Sequence, residues 1–159
     1  MHDEASVAPS ALTEALLTAS RALVAVAARS LTVRGAADVT LAQYRALVVL
    51  AAHGPQRVGE LAQALDVHPS TATRLCDRLV ERKLVRRAVD RTNRRETVIT
   101  LSATGRKLVD DVTDARRREI ATIVDRIPTG LRAPAVAALV AFAEAAGEPA
   151  QEAWTLGWS

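Results

Sequence analysis

Between residues 59 and 101 the spacing of apolar side chains changes from helical to alternating, and this change constrains the fold more than any other feature. Gly59 to Leu65 reads as a short helix that turns Leu61, Ala62 and Leu65 inward. Asp66-Val67 follows as a tight turn, because Asp tolerates the left-handed conformation better than most residues. His68-Pro69-Ser70 opens a second helix, since proline is favoured at the first helical position. The spacing carries this helix to about Lys83 and buries Ala72, Leu75, Cys76 and Leu79. From there β-branched residues dominate: Val85, Val89, Thr97, Val98, Ile99 and Thr100. Leu84–Val89 and Thr97–Leu101 are strand-like, and Asp90-Arg91-Thr92-Asn93-Arg94-Arg95 between them is polar and turn-prone. Two short strands around a basic loop make a hairpin.

Helices flank this unit on both sides. Residues 1–9 read as a loose tail ending at Pro9, and a long helix runs from Ser10, as N-cap, to near Gly35. Its stripe is Leu12, Leu16, Leu23 and Val26. Thr40 caps a second helix with Leu41, Tyr44, Leu47, Val48 and Ala51 on its apolar face, and Gly54-Pro55 stops it. Ser102 caps a long helix reaching Ile127, with Leu108, Val112, Ile120, Ile123, Val124 and Ile127 on its apolar faces. Pro128 and Gly130 break it, and a last Ala- and Val-rich helix spans about Leu131 to Ala146. Residues 147–159 form a tail with Trp154 and Trp158. At 159 residues the chain is expected to be one intertwined domain, mainly α with a small β-hairpin wing, in winged helix-turn-helix order.

The second helix of such a unit fits the major groove of B-DNA, where every base pair shows its own donor and acceptor pattern. With Ala72, Leu75, Cys76 and Leu79 inward, the opposite face carries Ser70, Thr71, Thr73, Arg74, Asp77 and Arg78. Arg74 has the planar fork to take a guanine O6/N7 pair. Free N–H groups at the helix start are expected to attract phosphate. Arg91, Arg94 and Arg95 in the hairpin loop suit a narrow minor groove. Net charge supports this placement. The whole chain carries +3, whereas residues 57–107 hold 12 Arg and Lys against 6 Asp and Glu. The plainer alternative makes Arg78, Arg82 and Lys83 a solvated face paired with Asp77 and Glu81.

Other classes find less support. Only four residues are aromatic, too few for the base stacking that grips single strands. A lone cysteine, Cys76, rules out an internal disulfide and reads as a small buried hydrophobe. His53, His68 and Cys76 are too scattered for a metal site, so no metal or cofactor is expected; His68 is read as a helix cap or a phosphate contact. There is no glycine-rich phosphate loop and no nucleophile–base pair, so the chain is not read as an enzyme. Arg116-Arg117-Arg118 stand beside Asp111, Asp114 and Glu119 and read as ion-pairing residues. Uninterrupted apolar runs fall short of 18 residues, so no membrane span is expected. Asp3 and Glu4 stand where a signal peptide would carry Lys or Arg, so the expected location is cytoplasmic.

Leu41-Ala-Gln-Tyr-Arg-Ala-Leu47, Val58-Gly-Glu-Leu-Ala62, His68-Pro-Ser-Thr-Ala-Thr-Arg-Leu75, Asp77-Arg-Leu79 and Leu101-Ser-Ala-Thr-Gly105 together resemble the MarR family of bacterial transcription factors. The resemblance runs from about Ala11 to Ala146. It implies a homodimeric, sequence-specific regulator of double-stranded DNA, a repressor that responds to a small-molecule effector, with a pseudo-palindromic operator. It also implies that 10–35 and 108–146 are dimerisation helices around a DNA-binding region at 40–107. Pro69, Ser70, Thr71, Thr73 and Arg74 fall on the family's DNA-facing positions. The wing departs from the frequent Asp-x-Arg-Asp-x-Arg pattern: Asp90 and Arg95 match, while Thr92 and Asn93 replace Arg and Asp. Arg94 or Arg91 is then the substitute for the missing arginine. The competing reading is a winged helix used only to bind protein; an apolar outer face on residues 69–78 would favour it.

Overall fold

The structure, a computed structural model, describes residues 8–32, 36, 38–89, 93 and 97–147. Among these, six helices and one hairpin follow in the order α1 (Pro9–Ser30), α2 (Leu41–His53), α3 (Val58–Ala64), α4 (Pro69–Glu81), β1 (Val85–Val89), β2 (Thr97–Leu101), α5 (Ala103–Val124) and α6 (Thr129–Ala145). The fold is mainly helical with a two-stranded wing, as the periodicity indicates.

The ends of these elements have local causes. Thr40 and Gln43 form a reciprocal capping box at α2: Thr40 Oγ1 accepts the Gln43 N–H at 3.2 Å, and Gln43 Oε1 accepts the Thr40 N–H at 2.9 Å. Glu60 accepts the Arg57 N–H at 2.7 Å and so starts α3. That helix ends in a Schellman turn, with Asp66 left-handed at φ 52° and the Val67 N–H reaching Ala62 O at 3.0 Å. Helix α4 ends the same way, with Lys83 at φ 59° and the Leu84 N–H on Leu79 O at 3.0 Å. It therefore stops at Glu81, short of the expected Lys83. No glycine marks this stop; the pull comes from Leu84 and Val85, which turn into the core.

Other boundaries also differ from the sequence reading, α5 ending at Val124 rather than Ile127. Ser10 is not the N-cap of α1; Pro9 already occupies the first turn, and Ala8 precedes it without a side-chain cap. That helix ends at Ser30 rather than near Gly35, which lies outside the described residues. Gly130 does not break the chain but sits inside the first turn of α6. The break between α5 and α6 is instead held by Arg132, whose guanidinium donates to Ile127 O at 3.1 Å and Asp125 O at 3.3 Å.

The core lies where α2, α3, α4, the hairpin and the first half of α5 meet. Leu47, Leu50, Leu61, Leu79, Val85, Ile99 and Val112 are its largest fully enclosed members within one packed cluster. Helices α1 and α6 lie largely outside it. Only Val26 and Ser30 are buried on α1, and nothing is buried on α6. By length and composition alone α1 could cross a membrane, although Ser, Thr and Arg interrupt every apolar run.

Candidate nucleic-acid interface

Helix α4 is sharply two-sided. Ala72, Leu75, Cys76 and Leu79, spaced three and four apart, are buried against the core. Pro69, Ser70, Thr71, Thr73, Arg74, Asp77 and Arg78 are all exposed on the other side. Apart from Pro69 and the Asp77 carboxylate, this outer face is made of hydroxyls and guanidinium groups, and it holds no large apolar side chain. Arg74 and Arg78, one turn apart, project together. Neither is in an ion pair with a described residue.

The start of α4 differs from its expected role. Pro69 has no N–H, and His68 Nδ1 accepts the Ser70 N–H at 3.3 Å while lying 2.9 Å from Ser70 Oγ. The Thr71 and Ala72 N–H groups both point to His68 O. The first amides are thus already used, and the expected cluster of free donors for phosphate is not present. His68 is a cap. Thr73 Oγ1 spends its proton on Pro69 O at 2.9 Å, so outward it offers acceptor lone pairs and a methyl group.

The hairpin beside α4 is placed by three contacts. Its strands are antiparallel, with Val85 opposite Leu101 and Val89 opposite Thr97. Gln56 adds a rung that sequence spacing did not reveal: its N–H donates to Ile99 O at 3.0 Å and it accepts the Ile99 N–H at 2.7 Å. Ser102 Oγ lies 2.7 Å from Lys83 O and 2.9 Å from Leu84 O, and it accepts the Gly105 N–H at 2.9 Å. The start of α5 is thereby drawn onto the root of β1. Asp90, Arg91, Arg94 and Arg95 lie outside the described residues.

Several other arginines have partners among the described residues, some on the same helix and some on distant elements. Arg82 reaches the Asp38 carboxylate at 3.1 Å and also donates to the Asp38 carbonyl, so it pins the chain between α1 and α2. Asp77 pairs with Arg87 of β1 rather than with Arg78. Arg117 pairs with Asp114 at 2.8 Å, and Glu119 pairs with Arg29 of α1. Arg116 instead lies over the Tyr44 ring, 5.4 Å from its centroid, while Tyr44 Oη meets Thr113 Oγ1 at 3.3 Å.

Burial pushes the Cys76 thiol pKa up; Arg87 pulls it down and Asp77 raises it to smaller extents. The thiol therefore stays protonated and enclosed. Maleimide labelling of the native protein is expected to be undetectable at pH 8 and rapid once the protein is unfolded in denaturant. Rapid native labelling would contradict its place in the core.

These features define a winged helix-turn-helix protein whose second helix presents hydroxyls and two arginines outward. The comparisons with known proteins go one step further. The model of the MarR family matches residues 37–96. Rv1404 of Mycobacterium tuberculosis is 44% identical, the match covering 92% of this chain and 99% of that one with a TM-score of 0.83. The transcriptional repressor MdtR of Bacillus subtilis is 33% identical over 79 residues, covering 50% of this chain and 51% of MdtR. MepR of Staphylococcus aureus, solved with ethidium bromide bound, is 25% identical over 87% of this chain and 96% of its own, with a TM-score of 0.61. The chain spans about half the length of the curated relatives it matches. It belongs to the MarR family of transcriptional regulators.

Proposed function

We infer that the protein is a cytoplasmic, homodimeric, sequence-specific binder of double-stranded DNA that represses transcription and releases DNA when a small molecule binds. The single observation that carries the reading is the outer face of α4: seven exposed polar, cationic or proline residues opposite four buried apolar ones. A protein-docking winged helix would need apolar surface there, and this face has none of any size.

Within the reading, Ser70, Thr71 and Thr73 meet phosphates or base edges and Pro69 lets the helix end approach the groove. Arg74 takes a guanine and Arg78 a phosphate on the same side. Arg91, Arg94 and Arg95 are assigned to the adjacent minor groove. No cofactor or metal enters the function.

Dimerisation is assigned to α1, the second half of α5 and α6, within 10–35 and 108–146. Leu12, Leu17 and Leu23 on α1, Ile123 on α5, and Leu139 and Phe142 on α6 are between 41% and 54% exposed in the single chain. Exposed apolar surface so concentrated marks an interface. A second copy suits α1 better than lipid, because α1 is tied to α5 through Arg29 and Glu119. Two-fold symmetry then asks for half-sites about 10 bp apart. MdtR supports repression, and the MepR complex with ethidium bromide supports a small-molecule effector.

Arg74→Ala tests the base-reading role. It is expected to weaken binding to the specific duplex by about 1–3 kcal/mol and binding to random duplex much less. Equal losses on both would reduce Arg74 to a phosphate contact and remove the basis for sequence reading by α4.

A further inference from the structure

Asp77 is out of place on a surface built to approach phosphates. It stands on the outer face of α4, three residues after Arg74 and next to Arg78. Arg87 is equally unexpected, since it lies directly opposite Ile99 in the hairpin, and directly opposed residues share a face. Ile99 is fully buried, so the Arg87 stem leaves the hairpin on its core-facing side. Its Nη2 then donates to Asp77 Oδ1 and ties the root of the wing to the reading helix.

We propose that Arg87 is a positioning residue for DNA recognition: it neutralises the Asp77 carboxylate on the reading face. This rests on the DNA-binding reading above. In the free protein both side chains are about half exposed, so water screens the pair and stability depends on it little. Docking a duplex removes that water. An unpaired Asp77 would then face phosphates without solvent, where leaving one charge of a pair unmatched is costly. The contribution of Arg87 is therefore latent until DNA binds, and it depends on Asp77 being present.

The test is a double-mutant cycle on the full chain, using a duplex recovered from genomic fragments by the wild-type protein. Arg87→Ala is expected to weaken binding by about tenfold or more. Asp77→Ala should stay within about threefold of wild type, because it removes the carboxylate along with the need to neutralise it. The double variant should recover to the Asp77→Ala level, and Arg87→Lys should keep most of the affinity. Melting temperatures of all four should lie within a few degrees of wild type, which a purely structural role would not allow. A double variant as weak as Arg87→Ala would make Arg87 a direct phosphate contact and overturn the proposal. So would a binding loss that follows a loss of melting temperature. Wild-type protein that binds no duplex would reject the DNA-binding reading itself, whereas wild-type binding with additive losses rejects only the positioning role.

Discussion

Gly105→Ala is expected to destabilise the protein by about 3 kcal/mol, at the upper end of what forced overpacking costs. A Cβ at this position would lie 2.0 Å from Leu84 O and 2.9 Å from Leu101 Cδ1. Leu84 O is backbone and cannot rotate away. It also takes part in the Ser102 contacts that join the root of β1 to the start of α5. For a chain of this size the melting temperature should fall by roughly 6–12 °C. Gly59→Ala is the matched control, because a Cβ there meets nothing within 4 Å. It lies inside α3, where Ala is favoured over Gly by about 0.5–1 kcal/mol, so it should be neutral or stabilising. Equal melting temperatures for Gly105→Ala and wild type would mean that α5 does not approach β1 as closely as described.

The second large effect is expected from Leu139→Glu. Leu139 lies on α6, 54% exposed in the single chain, and α6 has no buried residue to hold it against its own core. A second copy covering this face would have to desolvate the new carboxylate without a partner, at a cost of several kcal/mol. Light scattering at micromolar concentration should then give the monomer mass near 17.0 kDa in place of twice that value. Operator affinity should fall by about 100-fold or more, because the two half-sites would no longer be held by one linked pair of reading heads. A variant that remains dimeric would move the interface away from α6.

The Gly105 effect lies beyond what the sequence shows, because it depends on a contact between distant segments. Local signals were legible. Thr40 and Ser102 each accept an amide from three residues on, and Pro69 opens α4 at the first helical position. The four-residue buried stripe of α4 also followed from helical spacing, and with it the outward set that includes Arg74 and Arg78. Contacts between distant segments were not legible. Arg82 with Asp38 is 44 residues apart, and Arg87 with Asp77 joins a strand to a helix. Helix periodicity offers only neighbours on the same helix as partners, so the pairing of Asp77 with Arg87 was not legible. The same limit hid the Gln56 rung on Ile99. The early stop of α4 escaped for a different reason: Lys83 takes a conformation that sequence rules reserve for Gly or Asn, and burial of Leu84 supplies the compensation.

The charge distribution also looks different once partners are known. Of the cations in residues 57–107, Arg82, Arg87 and Lys107 are spent on Asp38, Asp77 and Asp111. Arg74 and Arg78 stand unpaired among the described residues, side by side on the outer face of α4. The excess of positive charge thus matters less as a total than as two adjacent guanidinium groups on the outer face of α4.

Selective binding of duplex DNA is the central claim, and competition binding with the wild-type protein tests it most directly. Fragments selected from genomic DNA would supply the specific duplex, to be compared with a random duplex and with the separated single strands at physiological salt. The account predicts that the selected duplex is bound about 1,000-fold or more tighter than the random one, with the single strands weaker than either duplex. Equal affinity for every duplex, or tighter binding of the single strands, would contradict it.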